Sequence, residues 1–368
     1  MAGVSDDAVP GAPAWAAASV DVLVAAYNER RHIGARIDNL GRTQGLDVPL
    51  GIRVGSDGSD DGTVPRANEA AQRVRAAADP SRPPIDVEVI AFEPRRGKPS
   101  VMNDLVARSR ADVVVFTDAN TRFAPDTIER LLVRFADPAV GCVCGELRLV
   151  AKGGAENRDH VYWRYERFLK YQESQLDALL GANGGVYAIR RELYEPVPAN
   201  TVVDDFWISM SLIERGWRCV YAPEAVAVED VPARIADEFG RRVRIGVGNY
   251  QALRRFAGLL NPRRGTLALA FFSHKVLRWF VPHLMLVALA CNVTLAALVE
   301  QPFYAWLLLA QLLFYGAAWI GHAASRRGGT PAPLRLPLFL VSMNLALLFG
   351  WWRYLSGRFG GTWARTAR

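Results

Sequence analysis

The sequence predicts an α/β domain on a doubly wound, largely parallel sheet, followed by an interfacial helix and C-terminal transmembrane helices. Three observations carry this. Short apolar runs alternate with amphipathic helical stretches from Val20 to Val150, the pattern of strand–helix–strand units. One run, Val113-Val114-Val115-Phe116-Thr117, is apolar almost throughout and stops at Asp118-Ala119-Asn120. A strand buried on both faces of a parallel sheet reads this way. The last hundred residues hold three long apolar blocks, whose lengths suit a bilayer.

Taken in order, residues 1–19, rich in Ala, Pro and Asp, read as a disordered leader. No basic start precedes an apolar core there, so a signal peptide is not indicated and the following domain is expected in the cytoplasm. Val20–Ala26 is the first strand, ending in Ala26-Tyr27-Asn28-Glu29. Ile33, Ile37 and Leu40 then share one helical face. Leu50–Gly55 is the second strand and runs into Ser56-Asp57-Gly58-Ser59-Asp60-Asp61-Gly62-Thr63, with Thr63 or Asp61 placed to cap a helix. Ile85–Ala91 is the third strand, and Gly97-Lys98-Pro99 opens the next helix. The Val113 strand is fourth. Ile128, Leu131, Leu132 and Phe135 mark a helix, and Gly141–Val150 a further strand.

Asp118 and Asn120 stand two residues apart at a strand end and so point the same way. Open α/β sheets place ligands at that edge, and a carboxylate with an amide oxygen suits a hard divalent cation on phosphates. An Asx turn capping the helix after Pro125 is the competing reading. Two other chemistries fail. No Gly-x-Gly-x-x-Gly follows the first strand, which argues against a dinucleotide. The run from Asp57 echoes a calcium loop, but its twelfth position is Asn68 rather than Glu.

Further on, Tyr162-Trp163-Arg164-Tyr165-Glu166-Arg167 is either core or a sugar-stacking wall. Asp204-Asp205 follows β-branched residues and reads as a helix cap or as paired catalytic acids. Arg241-Arg242-Val243-Arg244 is a solvated face or a pyrophosphate clamp. The 44 basic residues against 37 acidic leave a formal charge of +7 without a basic run or nucleic-acid motif. That excess points to anionic phosphates and membrane lipids, with no nucleic acid. Cys142, Cys144, Cys219 and Cys291 have no metal-ligand spacing, and Cys142 and Cys144 read as reduced core residues. Leu267–Trp279 mixes apolar residues with His274, Lys275 and Arg278, as a helix in the membrane surface would. Residues 280–299 and 302–324 are long enough to span; 336–352 is at the lower limit, with Trp351-Trp352 placed as an interfacial anchor. Arg326-Arg327 fit the positive-inside rule, whereas Arg353, Arg358, Arg365 and Arg368 oppose a third crossing. Three inserted segments are expected, the last of them crossing, re-entering or lying at the interface. The expected units are 20–260, 261–279, 280–355 and a basic tail, 356–368.

Ala26-Tyr27-Asn28-Glu29, Asp57-Gly58-Ser59, Gly97-Lys98, Asp118 and Asp205, in this order, resemble the membrane-associated family 2 glycosyltransferases of the GT-A fold. The look-alikes are those related to the hyaluronan, chitin, cellulose and poly-N-acetylglucosamine synthases. The resemblance implies that Ala26, Tyr27, Glu29, Asp57, Lys98, Asp118, Arg241 and Arg244 bind a nucleotide-sugar, with a UDP-sugar expected. It implies that Asp118 and Asn120 hold Mg²⁺ or Mn²⁺. Asp205 would be the general base with Asp204 beside it, and Gly181, Asn183, Gly184 and Ile245 would line the acceptor site. Asn120 stands where the family has a second Asp, Ser56 where many have a first Asp, Arg241 for Gln and Ile245 for Trp. The last two argue against processive polymerisation. The expected activity is inverting, metal-dependent sugar transfer at the bacterial inner membrane, in exopolysaccharide or capsule synthesis. The acceptor would be a glycan or lipid-linked glycan, with polysaccharide export partners. Two alternatives stay open: transfer onto a polyprenyl phosphate, and an inactive assembly subunit of an export complex.

Overall fold

In this computed structural model the chain is described over residues 16–150, 160–230, 235–327 and 329–360. The described chain runs β1 (Val20–Ala26), α1 (Arg30–Gly41), β2 (Leu50–Asp57), α2 (Thr63–Ala76), β3 (Ile85–Phe92) and α3 (Lys98–Arg108). It continues with β4 (Val113–Asp118), β5 (Thr121–Phe123), α4 (Thr127–Val133), β6 (Val140–Val150), α5 (His160–Gln175) and β7 (Tyr187–Arg190). Then come α6 (Asp204–Glu214), β8 (Arg218–Asp230) and α7 (Ile235–Phe256). Three long apolar helices close it: α8 (Thr266–Leu298), α9 (Pro302–Ser325) and α10 (Ala332–Leu355).

The eight strands form one sheet, ordered β3-β2-β1-β4-β7-β6-β8-β5. β1 pairs parallel with both β2 and β4, so the strand order reverses there, with Ala26, Asp57 and Asp118 at the carboxyl edge. Beyond β4 the sheet differs from the largely parallel one expected. β7 runs antiparallel to β4 and β6, and β5 antiparallel to β8. The sheet is therefore mixed. β6 and β8 nevertheless pair parallel, their long connection leaving room for the crossover that parallel pairing needs. Alternation along β1 and β4 sends Val20, Val22, Val113 and Val115 into one core layer, and Leu23, Val114 and Phe116 into the other. The first layer lies under α1, α2 and α4; the second lies under α3, α6 and α7.

Two expected boundaries shift. The leader does not extend to residue 19, because Ala18 N donates to Asp112 Oδ2 at 2.7 Å; residues 1–15 lie outside the described chain. The break expected at residue 279 falls inside α8, whose Phe271–Val276 stretch is π-helical. Phe271, Val276 and Trp279 join the domain core, while Leu269 and Phe272 are exposed. That segment is thus a joint between domain and apolar helices. The helix around 336–352 is longer than expected, since α10 has 24 residues. By length and composition all three can cross a bilayer. α8 and α9 form a hairpin tied by Asn292 Nδ2 donating to Gln311 Oε1 at 2.7 Å, a polar link suited to an apolar medium.

Candidate active site

The tips of β1 and β2 are laced together first. Asn28, in a left-handed conformation (φ 55°), exchanges hydrogen bonds with Asp60, and Glu29 N donates to Thr63 Oγ1 at 2.8 Å. The hydroxyl of Thr63 is thus spent on the neighbouring strand's loop as well as at the start of its own helix. Glu29 pairs with His32 at 2.7 Å. Asp57, almost fully buried at the end of β2, accepts from Arg96 N at 2.7 Å and Gly97 N at 2.9 Å. Its carboxylate therefore fixes the loop entering α3. From that loop Arg95 lays its guanidinium 3.6 Å over the ring of Tyr27.

Lys98, the first residue of α3, reaches across the edge. Its Nζ lies 2.9 Å from Asp118 Oδ1 and 3.4 Å from Asp204 Oδ2. Burial alone would lower its pKa, but Asp118, Asp204 and Asp205 outweigh that and raise it, so the ammonium is held charged. Asp205 behaves oppositely. Burial and then the charge of Asp204 raise its pKa to about 6, against the lowering influence of Lys98. A carboxylate poised there is matched to proton transfer near neutrality.

Helix α6 starts at Asp204, and Val203, its N-cap, makes no side-chain cap bond. Asp204 is therefore an ion-pair partner of Lys98, not the helix cap that one reading of Asp204-Asp205 offered. The acidic pair enters the cleft together because the preceding loop is clamped from α7. Gln251 accepts from Val202 N at 3.1 Å and donates to Asn200 O at 3.0 Å, while Val203 packs on Gly248, where a Cβ has no room.

The glycine-rich loop meets Asp205 directly. A Cβ at Gly184 would lie 2.8 Å from Asp205 Oδ2, and one at Gly181 (φ +86°) 2.6 Å from the Phe206 ring. Asn183 holds the loop: its Nδ2 donates to Gly145 O at 2.9 Å, and its Oδ1 accepts from Lys170. Asn120 sits half-buried two residues beyond Asp118. Arg241, Arg244 and Ile245 are half-buried on α7. With Gly248 and Gln251, Arg241 and Arg244 recur at spacings of three and four, on one helix face.

The sequence reading missed Arg36. It is buried on α1, donates to Thr117 Oγ1 at 2.8 Å, and lies 4.0 Å over the Phe123 ring. Thr117 in turn donates to Gly185 O at 2.8 Å, so this chain joins the Asp118 strand to the glycine loop. Burial lowers the Arg36 pKa to about 9, with Asp118 opposing. Its signal was a cation between Ile33 and Ile37 on an apolar helix face. Gln251 carried no such signal.

Among the described residues no three His, Cys, Asp or Glu side chains cluster as a metal site. Asp118 with Asn120 still fits Mg²⁺ or Mn²⁺, because such ions take one or two protein oxygens and complete their shell with phosphates and water.

A mixed sheet of this order, with its charged cleft where β1, β2 and β4 end, defines an α/β domain of the GT-A type. Residues 113–319 match the model for glycosyl transferase family group 2 and residues 21–197 that for glycosyl transferase family 2. The chain belongs to this family. It is 27% identical to an N-acetylglucosaminyltransferase of Rhizobium sp. (strain N33) over 70% of its own length and 59% of the relative's. It is 27% identical to another of Mesorhizobium japonicum, over 58% of this chain and 52% of that one. The chain thus spans little more than half the length of these curated relatives. A mannosyltransferase of Pyrobaculum calidifontis, solved with GDP-Man and Mn²⁺, shares the fold. Its TM-score is 0.67 at 24% identity, over 94% of this chain and 89% of that one.

Proposed function

We propose that this protein is a membrane-bound inverting glycosyltransferase that moves a sugar from a nucleotide-sugar to a glycan, free or lipid-linked, in surface polysaccharide synthesis. The observation that carries the reading is Asp205: a half-buried carboxylate that faces the Gly184 loop beside the Lys98–Asp118 pair, with its pKa raised to about 6. Its carboxylate takes the proton of an acceptor hydroxyl as that oxygen bonds to the anomeric carbon. The bond from that carbon to the diphosphate breaks, and its electron pair leaves with the nucleoside diphosphate. Lys98, with Arg241 and Arg244 from α7, offsets the charge on the leaving group. Tyr27 and Asp57, with Ala26 and Glu29 beside them, line the base end, UDP being the nucleotide expected. A divalent cation held by Asp118 and Asn120 would supply Lewis-acid neutralisation of the same diphosphate. Backside displacement on an α-linked donor gives a β-linkage.

The test is release of nucleoside diphosphate from a panel of UDP- and GDP-sugars by the full chain in lipid, with Mg²⁺ or Mn²⁺. Release that requires metal and is lost in Asp118→Ala is expected. Silence toward every donor would favour the inactive assembly subunit, and full activity in excess EDTA would remove the metal. Ile245 offers no π face to a terminal sugar, a loss of about 1 kcal/mol of stacking. Short or single-step products are therefore expected, and a long polymer made by the purified chain would refute that.

Contacts at both ends of α10 support two crossings, by α8 and α9, with the catalytic domain and α10 on the cytoplasmic side of the inner membrane. Leu334 and Leu338 pack on Gly321 near the end of α9. Trp351 meets His283 midway along α8, with ring centroids 4.8 Å apart. In the antiparallel hairpin aligned by Asn292 and Gln311, Gly321 and residue 282 stand level. The two ends of α10 thus touch the same depth. Its last turns also lie on α7, where a Cβ at Gly350 would come 2.8 Å from Gly246 Cα. A helix running along the surface keeps Arg353 and Arg358 inside, as the positive-inside rule prefers. Impermeant labelling of a cysteine placed after Arg358 in intact cells should fail; labelling from outside would mean three crossings.

A further inference from the structure

An open pocket of about 360 Å³ lies between α5, β6 and β8, apart from the carboxylate cleft, lined by Glu146, Arg148, Arg167, Phe168, Tyr171 and Tyr221. We infer that it is a subsite for sugar rings of the acceptor, one or more units back from the hydroxyl that meets Asp205. The inference rests on the glycosyl-transfer reading above.

Four observations carry it. The walls are aromatic, and Phe168 and Tyr171, 57% and 50% exposed, are plates that the core does not use. Such rings take the apolar C–H faces of sugars. The polar groups converge: Glu146, only 4% exposed, accepts from the Tyr221 hydroxyl and lies 3.5 Å from Arg167. Burial and then that carboxylate push the Tyr221 phenol up, keeping it a hydrogen-bond donor. A carboxylate and two guanidinium forks offer acceptors and paired donors to adjacent hydroxyls, and the volume falls in the range of small-molecule sites. The pocket is also joined to the active site. Gly145, next to Glu146, holds the amide of Asn183 and donates its N–H to Val186 O at 2.9 Å. Lys170, beside Tyr171 on α5, bonds the other end of Asn183, and Gly184 follows, against Asp205. Finally, Arg167 offsets the Glu146 carboxylate at 3.5 Å and Arg148 stands at the exposed rim, so the inner wall offers paired polar groups that suit neutral hydroxyls.

The test measures binding to the full chain in nanodiscs by saturation-transfer NMR. The probes are β-linked oligosaccharides of N-acetylglucosamine, glucose and mannose, from one to four units, with polyprenyl phosphate as a separate arm. At least one series should bind more tightly with length, by about tenfold from one unit to three, and Phe168→Ala with Tyr171→Ala should erase that gain. Arg148→Ala, at an exposed position, should weaken it without unfolding risk. In transfer assays the ratio of kcat/KM for the longer acceptor to that for the single sugar should fall equally. No length-dependent binding in any series, a gain that survives the substitutions, or binding of polyprenyl phosphate alone that the substitutions remove would each overturn the subsite. Length-dependent binding that these substitutions erase, in a chain that never releases nucleotide, would keep the subsite and sink the catalytic reading.

Discussion

In the parallel half of the sheet, β3-β2-β1-β4, charge stands where strands end, and apolar residues fill the interior. Beside the apolar helices the arrangement is reversed. Glu166 and Glu173 of α5 are buried, paired with Arg278 and His274 of α8, while Tyr165, Phe168, Tyr171 and Leu176 are exposed. Burial would raise the Glu166 pKa, but the nearby His274 ring, with Nε2 at 3.7 Å, and the charge of Arg278 hold it well below the usual carboxylate range. The parallel half is organised by water outside and hydrocarbon inside. The other half is organised by charges that need partners, and its outer surface is rich in exposed aromatic rings. The two halves meet at the Gly184 loop, with Asp205 on one side and Lys170–Asn183 on the other.

The largest effect expected is on the catalytic side of that junction. Asp205→Asn keeps the shape and removes the basic oxygen, so turnover should fall by about 10²–10⁴ while nucleotide binding, measured by calorimetry, stays near normal. Unchanged turnover would remove Asp205 from the chemistry. Activity of the native chain should be lost as pH falls through about 6, where Asp205 takes up a proton. Its effect on folding has the opposite sign. The folded pKa of about 6 exceeds the ordinary aspartate value of 3.8, so the stability this group contributes is present below pH 3.8 and lost as pH rises through 6. Activity and stability should therefore move in opposite directions across that window.

Gly184→Ala probes the junction itself. The added Cβ would crowd Asp205 Oδ2 at 2.8 Å, and displacing a catalytic group by about 1 Å costs on the order of 10² in rate. Stopped-flow turnover with an unaltered melting temperature is the expected pattern; full activity would show that the loop gives way.

On the membrane-facing side, Glu173→Gln should act through stability. Its carboxylate and the His274 ring are both about 9% exposed, and weakening a buried hydrogen bond to a charged group costs roughly 1.5–3 kcal/mol. Thermal unfolding in nanodiscs should shift down by several degrees with kcat at low temperature little changed. No shift would mean that apolar packing, not charge, seats α5 on the joint.

This division also sets what was legible in the sequence. β1 to β4 announce themselves because local rules suffice: apolar alternation makes the strand, and its end places Asp57 and Asp118. Family motifs pointed to Lys98, Asp118 and Asp204-Asp205 singly, but the pairing of Lys98 with Asp118 and Asp204 was not legible, since it joins residues 20 and 106 positions apart. α5 resisted because its aromatic face turns outward and its charges inward. Arg36 resisted because it sits on an apolar helix face where a cation is unexpected. The clamp from Gln251 depends on how α7 docks, which no local pattern encodes.

Asp204→Asn has the smallest expected effect and separates two accounts of the acidic pair. As a helix cap, Asp204 would matter through stability, by about 1 kcal/mol. In the structure Val203 is the N-cap and makes no side-chain cap bond, and the Asp204 carboxylate lies 3.4 Å from Lys98 Nζ. Its role is therefore electrostatic. Asp204 raises the pKa of Asp205, whereas Lys98 lowers it. Removing the carboxylate takes away a like charge and frees Lys98 from one of its two partners, and both changes favour ionised Asp205. The acid limb of kcat/KM should move to lower pH by less than about one unit, with turnover above pH 7 reduced less than in Asp205→Asn. A limb that moved upward would mean that Asp204 itself is the titrating base. A fixed limb with a lower melting temperature would return Asp204 to the role of a cap, leaving burial alone to set the pKa of Asp205.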